Sequence, residues 1–185
     1  MKFEIKNRWT SKVQFTAEID CDESTSISVK LGMAIKLAVK SGADLSGADL
    51  IDANLIGANI SRANLICADL SGANISRANI SGAYLSGAPI IENIHQNVFA
   101  AASQDGAFDM SDWHTCETTH CRAGWAITLA GDAGKALEDK IGPAAAAAAI
   151  YIASDPKLER IPDFHCSNET AMADMKRLAE LEARP

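Results

Sequence analysis

Between Ala43 and Ile90 the chain repeats itself every five residues, a period that neither a helix nor a strand possesses. Ala stands at positions 43, 48, 53, 58, 63, 68, 73, 78, 83 and 88. Leu or Ile follows two residues later each time, from Leu45 and Leu50 through to Leu85 and Ile90. Asp or Asn lies between them in eight of the ten repeats, and only Tyr84 and Pro89 break that column. Helical side chains recur every 3.6 residues and strand side chains every two. A period of five instead suits a stack in which each repeat makes one face and turns a corner, with a large aliphatic and a small Ala pointing inward. The competing fold is a long Ala- and Leu-rich helix. Gly42, Gly47, Gly57, Gly72, Gly82 and Gly87 exclude it, because each interior glycine costs a helix about 1 kcal/mol relative to Ala.

The repeats SGADL, SGADL, IDANL, IGANI, SRANL, ICADL, SGANI, SRANI, SGAYL and SGAPI resemble the A(D/N)LXX motif of the pentapeptide-repeat family. That resemblance implies a right-handed quadrilateral β-helix with four repeats per coil, hence about two and a half coils. With about 4.8 Å between stacked strands it would stand only about 12 Å tall. So short a stack needs caps at its ends, and the flanks are the segments available to supply them. The expected fold class is therefore mixed: a β-helix, an N-terminal β-hairpin with a capping helix, and a C-terminal all-α domain. The corresponding domains are 1–42, 43–92 and 93–185.

Residues 2–8 and 12–19 alternate apolar and polar positions around the short link Trp9-Thr10-Ser11, which predicts the hairpin. The cap-rich run CDESTS then opens a helix whose Ile27, Leu31, Ala34, Ile35 and Ala38 share one face and which stops at Gly42. After Pro89, helices are predicted over 92–103, 119–131, 133–141, 143–153 and 168–183, with Pro143 suited to a helix start. Phe108, Trp113, Trp125, Ile127, Leu129, Tyr151 and Phe164 are candidates for their core.

The formal charge is −7, from 24 acidic and 17 basic residues. It is uneven: +2 over 1–40, −3 over 41–92 and −6 over 93–185. Direct nucleic-acid binding needs a basic surface that displaces phosphate counterions, so that class is excluded. An acidic chain suits a partner that itself normally binds nucleic acid. No apolar run approaches the ~20 residues of a membrane span, and MKFEIKNRW lacks the continuous apolar core of a signal peptide. Five cysteines, an odd number, fit reduced thiols. A cytoplasmic protein with no membrane attachment is expected.

The segment most suited to chemistry is Trp113-His114-Thr115-Cys116-Glu117-Thr118-Thr119-His120-Cys121-Arg122-Ala123-Gly124-Trp125, with a further pair at His165-Cys166. Three roles fit it. The cysteines are small hydrophobes packed in a loop that leads into a helix. Alternatively Cys116, Cys121, His165 or Cys166, with His114 or His120, hold zinc, although Cys-x4-Cys is not the diagnostic Cys-x2-Cys spacing. Or Cys121, beside His120 and Arg122 at a helix start, is an activated thiol. The packing role is expected, and with it no metal and no other cofactor. From Cys116 to Trp125 the chain is similar to a Cys-Gly-Thr-x-x-Cys-x-Ala-Gly-Trp pattern of bacterial and phage-type proteins, with Glu117 in place of the glycine. That likeness brings no activity with it. Glu138 and Asp139 are expected on a solvated helix face.

The functional expectation is a non-enzymatic protein-binding module. Resemblance to the pentapeptide-repeat family implies an acidic imitation of DNA that inhibits a nucleic-acid-binding machine, either gyrase or a host defence system countered by a phage. The outer column departs from that pattern, with Asn at 54, 59, 64, 74 and 79 against only three Asp. The candidate binding residues are Asp44, Asp49, Asp52 and Asp69 together with Ile51, Ile56 and Ile66. These Ile occupy the outward column that elsewhere holds Ser46, Ser61, Ser71, Ser76, Ser81 and Ser86. Cover by a flanking domain is expected for at least one of the three, and for Ile91. The alternatives are an assembly module that forms a homodimer, and a small Cys/His metal or thiol protein.

Overall fold

A computed structural model describes residues 1–65, 68–70, 72–79 and 87–184. Ile66, Cys67, Ser71 and residues 80–86, which include Ala83, Tyr84 and Leu85 of the repeat pattern, lie outside the described residues. The chain divides into two bodies. One comprises Met1–Gly87 and Lys157–Ile161; the other comprises Ala88–Pro156 and Pro162–Pro185.

The first body begins with β1 (Lys2–Lys6) and β2 (Val13–Glu18), paired antiparallel from Lys2 opposite Glu18 to Ile5 opposite Phe15. The register then shifts, so that Lys6 faces Val13 and Gln14 is the extra residue of a bulge. Its amide Nε2 donates to the Ser46 carbonyl at 2.8 Å. Helix α1 (Ile27–Lys40) starts where the Ser26 hydroxyl accepts from the Val29 N–H, satisfying a donor with no partner inside the helix. Leu31, Ala34, Ile35 and Ala38 are buried as expected, whereas Ile27 stays 74% exposed. Gly32 lies against the repeat: a Cβ there would collide with the Asn54 carbonyl oxygen. The Asn54 N–H donates to the Ser28 carbonyl at 3.2 Å beside that contact.

The expected two-and-a-half-coil quadrilateral β-helix is overturned. Among the described residues the only sheet is the two-stranded β1–β2 pair, and the other regular elements are six helices. Among the described residues, the repeats that contain Asp49, Asn54, Asn59, Asp69, Asn74 and Asn79 are each a tight turn followed by one bridging residue. Ala N–H groups bond back to the aliphatic carbonyl three residues earlier, as in Ala53 to Leu50 and Ala58 to Leu55. The third residue of these turns has positive φ: Gly47, Asp52, Gly57, Arg62, Gly72 and Arg77 lie between 57° and 67°. With a turn and a left-handed residue in every five, no extended run is long enough for a strand. Single parallel bridges join residues twenty apart, Asp49 to Asp69, Asn54 to Asn74 and Asn59 to Asn79. Inside, Leu45, Leu50, Leu55, Ile60, Leu65, Leu70 and Ile75 are at most 2% exposed. The expected inward columns are thus observed for the aliphatic residues from Leu45 to Ile75 and for Ala48, Ala53, Ala58, Ala63, Ala73 and Ala78, whereas Ile90 at the end of the pattern is 71% exposed.

Two further segments bond to the repeat within this body. The Arg8 N–H donates to the Gly47 carbonyl and the Asp49 N–H to the Lys6 carbonyl, at 2.9 and 2.8 Å. Residues 157–161 form a strap: the Arg77 N–H donates to the Ile161 carbonyl, the Ile161 N–H donates to the Ala78 carbonyl, and Asn79 bridges Arg160 antiparallel.

The second body contains α2 (Ile94–Ala102), α3 (Arg122–Leu129), α4 (Gly131–Ile141), α5 (Pro143–Ser154) and α6 (Asn168–Glu182). The predicted segments match these helices, except that α3 starts three residues later than 119 because Cys121 is its N-cap. Helix α5 has Pro143 in its first turn, where the missing N–H costs nothing. Its residues Ala145–Tyr151 are all buried, and it packs against α3 and α4, while α2 packs against α6 and α3. Ile127, Tyr151 and Phe164 belong to the core as expected; Leu129 is exposed. Ile91 is covered, at 9% exposure.

Candidate functional site

The Asp/Asn column has a local cause. A side-chain oxygen of Asp44 accepts from the Ser46 N–H at 2.9 Å, Asp49 from Ile51 at 3.4 Å, Asn54 from Ile56 at 3.3 Å, Asn59 from Ser61 at 3.1 Å and Asn74 from Ser76 at 3.2 Å. Each closes an Asx-turn over the corner that follows. An amide oxygen serves as well as a carboxylate, which is why the column mixes Asp with Asn. Asp69 is engaged by Arg8 in an ion pair of 2.9 Å. Asp52 belongs to the positive-φ column, and its Oδ1 lies over Gly72, twenty residues on, where a Cβ would collide with it. Asp44, Asp49 and Asp52 are exposed, so they add negative charge to the surface while two of them also close turns.

Ile51 and Ile56 are 45% and 44% exposed. The cover expected from a flanking domain is absent at both, and Ile66 lies outside the described residues. Ile27, one residue before the Ser28 carbonyl that bonds Asn54, is exposed too. The Ser28–Asn54 hydrogen bond joins the chain next to Ile27 to the repeat between Ile51 and Ile56, which lie three residues before and two after Asn54. Asp49 and Asp52 of the repeat and Asp22 and Glu23 of the lead into α1 are exposed as well. Sequence patterning missed Ile27 because its helical phase matched the buried face.

In the second body the histidines of the chemistry-suited segment meet a carboxylate that the pattern did not single out. His114 Nε2 lies 3.0 Å from Glu138 Oε1. His114 Nδ1 lies 3.0 Å from His120 Nδ1. Glu138 is only 10% exposed at its side chain, so the solvated face expected for it is corrected; its other oxygen accepts from Lys135 Nζ at 2.8 Å. His120 is buried, edge-on to Trp125 with centroids 4.7 Å apart, and its Nε2 has no hydrogen-bond partner. Burial first, and then the neighbouring His114, hold the His120 pKa below its ordinary value.

The four thiol and imidazole groups proposed for zinc are engaged separately. Cys121 Sγ accepts from the Gly124 N–H at 3.4 Å, and burial pushes its thiol pKa up. Cys166 donates to the Asp163 carbonyl and is pushed up mainly by burial, then by Asp163. His165 meets Trp113 edge-on at 5.6 Å. Cys116 is exposed, and hydrogen bonds from Thr119 and Thr118 lower its pKa to about 7. Among the described residues no group of three or more His, Cys, Asp or Glu side chains is placed to hold a metal ion. Cys121 caps α3 and is buried, and the thiol with depressed pKa is Cys116 instead.

Arg122 is buried to 1% exposure. Its Nη1 donates to Asp174 Oδ2 at 2.6 Å and its Nε to the Tyr151 hydroxyl at 3.4 Å. Burial opposes its charge; Tyr151 and Asp174 outweigh that and keep it cationic. This pair ties α3 to α6 and α5.

Residues 41–65 and 53–88 match the pentapeptide-repeat family in eight copies. This stretch of the chain is a pentapeptide-repeat segment. No curated protein matches the chain and no solved structure does, so the likeness of the C-terminal domain to bacterial and phage proteins gains no support. No described helix is long and apolar enough to cross a membrane.

Proposed function

We propose that the chain is a non-enzymatic protein-interaction module that binds its partner through the Ile27, Ile51 and Ile56 surface of the first body. The observation that carries this is the exposure of both Ile51 and Ile56 in a column where six of the ten residues are Ser. Grouped exposed apolar residues ringed by charge mark contact surfaces rather than ordinary solvent-facing positions. The pentapeptide-repeat match is consistent with such a module.

The exposed acids Asp49, Asp52, Asp22 and Glu23 specify the partner's chemistry: a protein with a basic surface that also offers an apolar anchor. Surfaces of that kind are typical of nucleic-acid-binding proteins, and the chain then acts as an acidic competitor for a site that DNA or RNA would occupy. Comparing proteins recovered from the native host by the wild type and by an Ile51→Lys/Ile56→Lys double variant tests the surface. Recovery of the same partners by both proteins refutes it. Duplex DNA added at low salt should displace a partner that binds by imitation of nucleic acid. A partner that remains bound refutes the imitation and leaves the module.

A further inference from the structure

We propose that the His114–His120 pair is an acid-sensitive latch that holds loop 107–121 closed on α3 and α4, and that the loop opens when the pair takes up its second proton.

The hydrogen-bond arithmetic follows from the two Nδ1 atoms standing 3.0 Å apart. A bond between them needs one hydrogen and one lone pair. With the pair uncharged, His114 donates from Nε2 to Glu138, and its bare Nδ1 accepts from the Nδ1–H of His120. One added proton is accommodated. His114 becomes an imidazolium between Glu138 and its neighbour, donating from both nitrogens, and His120 shifts its hydrogen to Nε2. A second proton leaves hydrogens on both Nδ1 atoms, pointed at each other, and puts two positive charges within 5 Å. The bond cannot survive, and the His120 ring is buried edge-on against Trp125. Its Cβ and the Trp113 carbonyl both press on Gly124, where any added carbon would collide. Relief requires the loop to move.

The rest of the loop depends on that contact. His120 N–H donates to the Ala107 carbonyl, Asp109 N–H to the His120 carbonyl, and Cys121 N–H to the Trp113 carbonyl. His120 also bridges Phe108 on one side and His114 on the other. The charged groups around the pair are few. From α4 come Glu138, which favours a proton on the pair, and Lys135, which bonds Glu138. From α3, Trp125 offers only an uncharged ring. On the loop itself the Glu117 backbone acts on His120 and favours its charged form. Asp109 and Asp112 are turned to the Ser111 and Trp113 N–H groups. Glu138 bonds the first proton directly through His114, whereas for the second, on His120, the help from the Glu117 backbone and Glu138 is outweighed by burial and by His114. The sign follows: His120 is held below its ordinary 6.5 in the closed loop, so closure is fully stable above about pH 6.5 and is lost as pH falls below it.

The reporter is the indole of Trp125, whose Nε1–H donates to the Ala107 carbonyl at 2.8 Å. The expected result, by NMR on the full chain, is loss of this indole hydrogen bond below pH 6.5 while α5 and α6 amides stay protected. In His114→Gln the side-chain oxygen accepts from His120 in every protonation state, so the midpoint should fall by roughly one pH unit or more. In the wild type, the ring protons of His120 should titrate together with that loss. An indole bond that persists to pH 5, a midpoint unchanged in His114→Gln, or a His120 ring titration that does not coincide with the loss would each overturn the latch.

Discussion

Replacing Gly32 with Ala sets two effects of known sign against each other. Inside an exposed helix the change stabilises by about 0.5–1 kcal/mol, because Ala loses less backbone freedom on folding. Gly32, however, sits in α1 where a Cβ would press into the carbonyl oxygen and carbon of Asn54. Both atoms are backbone, and Asn54 is held in turn by the Leu55 and Asn74 bonds of its bridge. Neither side can yield as a flexible side chain would. Overpacking of this kind costs about 1–3 kcal/mol, and lifting α1 away also breaks the bond from Asn54 N–H to the Ser28 carbonyl, about 1 kcal/mol more. Gly32→Ala should therefore destabilise the first body by about 1–3 kcal/mol net. Urea unfolding followed by amide signals of residues 45–60 measures it, with the second-body helices as an internal control. A variant as stable as the wild type, or more so, would show that α1 does not rest on the repeat at Asn54.

The turn columns make a matched test: Gly57→Ala meets no neighbour but must adopt φ near +61°, so it should lose about 1 kcal/mol, whereas Arg62→Gly, at φ +60°, should gain a few tenths by relieving the same strain. Melting curves of the pair that shift in the same direction refute the assignment of the left-handed positions. Leu65→Asp places a carboxylate where the side chain is 2% exposed and should abolish folding of the repeat, at a cost of several kcal/mol; an unchanged melt would remove the repeat interior from the core. Asp174→Ala strips the carboxylate from buried Arg122 and should cost about 3 kcal/mol. Asp174 is held below its ordinary range by Arg122 against the opposing effect of burial, so its contribution is present above pH 4 and should vanish from an acid titration of the variant. Cys116 should be alkylated first, with a rate rising through about pH 7, while Cys121 and Cys166 lag; equal rates for the three would deny the Thr118 and Thr119 bonds their effect.

What was legible in the chain depended on how far apart the partners are. The aliphatic and Ala columns, the five C-terminal helices and the Ser26 cap are short-range patterns, and all are visible in the sequence. The faces of the repeat were not, because a period of five announces regular turning without saying how many residues stay extended between corners. Asp and Asn at one position suggested an outer charged column, yet their oxygens answer an N–H two residues away and need no charge. Glu138 looked solvated because its helix is polar around it, and its partner His114 is 24 residues distant. Ile27 fell in phase with the buried stripe of α1, yet as its first residue it stays exposed while Lys30, one turn on, is buried.

The strap has a temporal meaning. Residues 157–161 complete the pairing of 77–79, yet α2 to α5 lie between them along the chain. A ribosome has therefore made more than half of the second body before the first acquires its last bonding partner. Through that interval the bonds from the Arg77 N–H to the Ile161 carbonyl and from the Ile161 N–H to the Ala78 carbonyl cannot form. The order of synthesis leaves this edge of the repeat, which the finished protein keeps closed, without its strap for tens of residues of elongation.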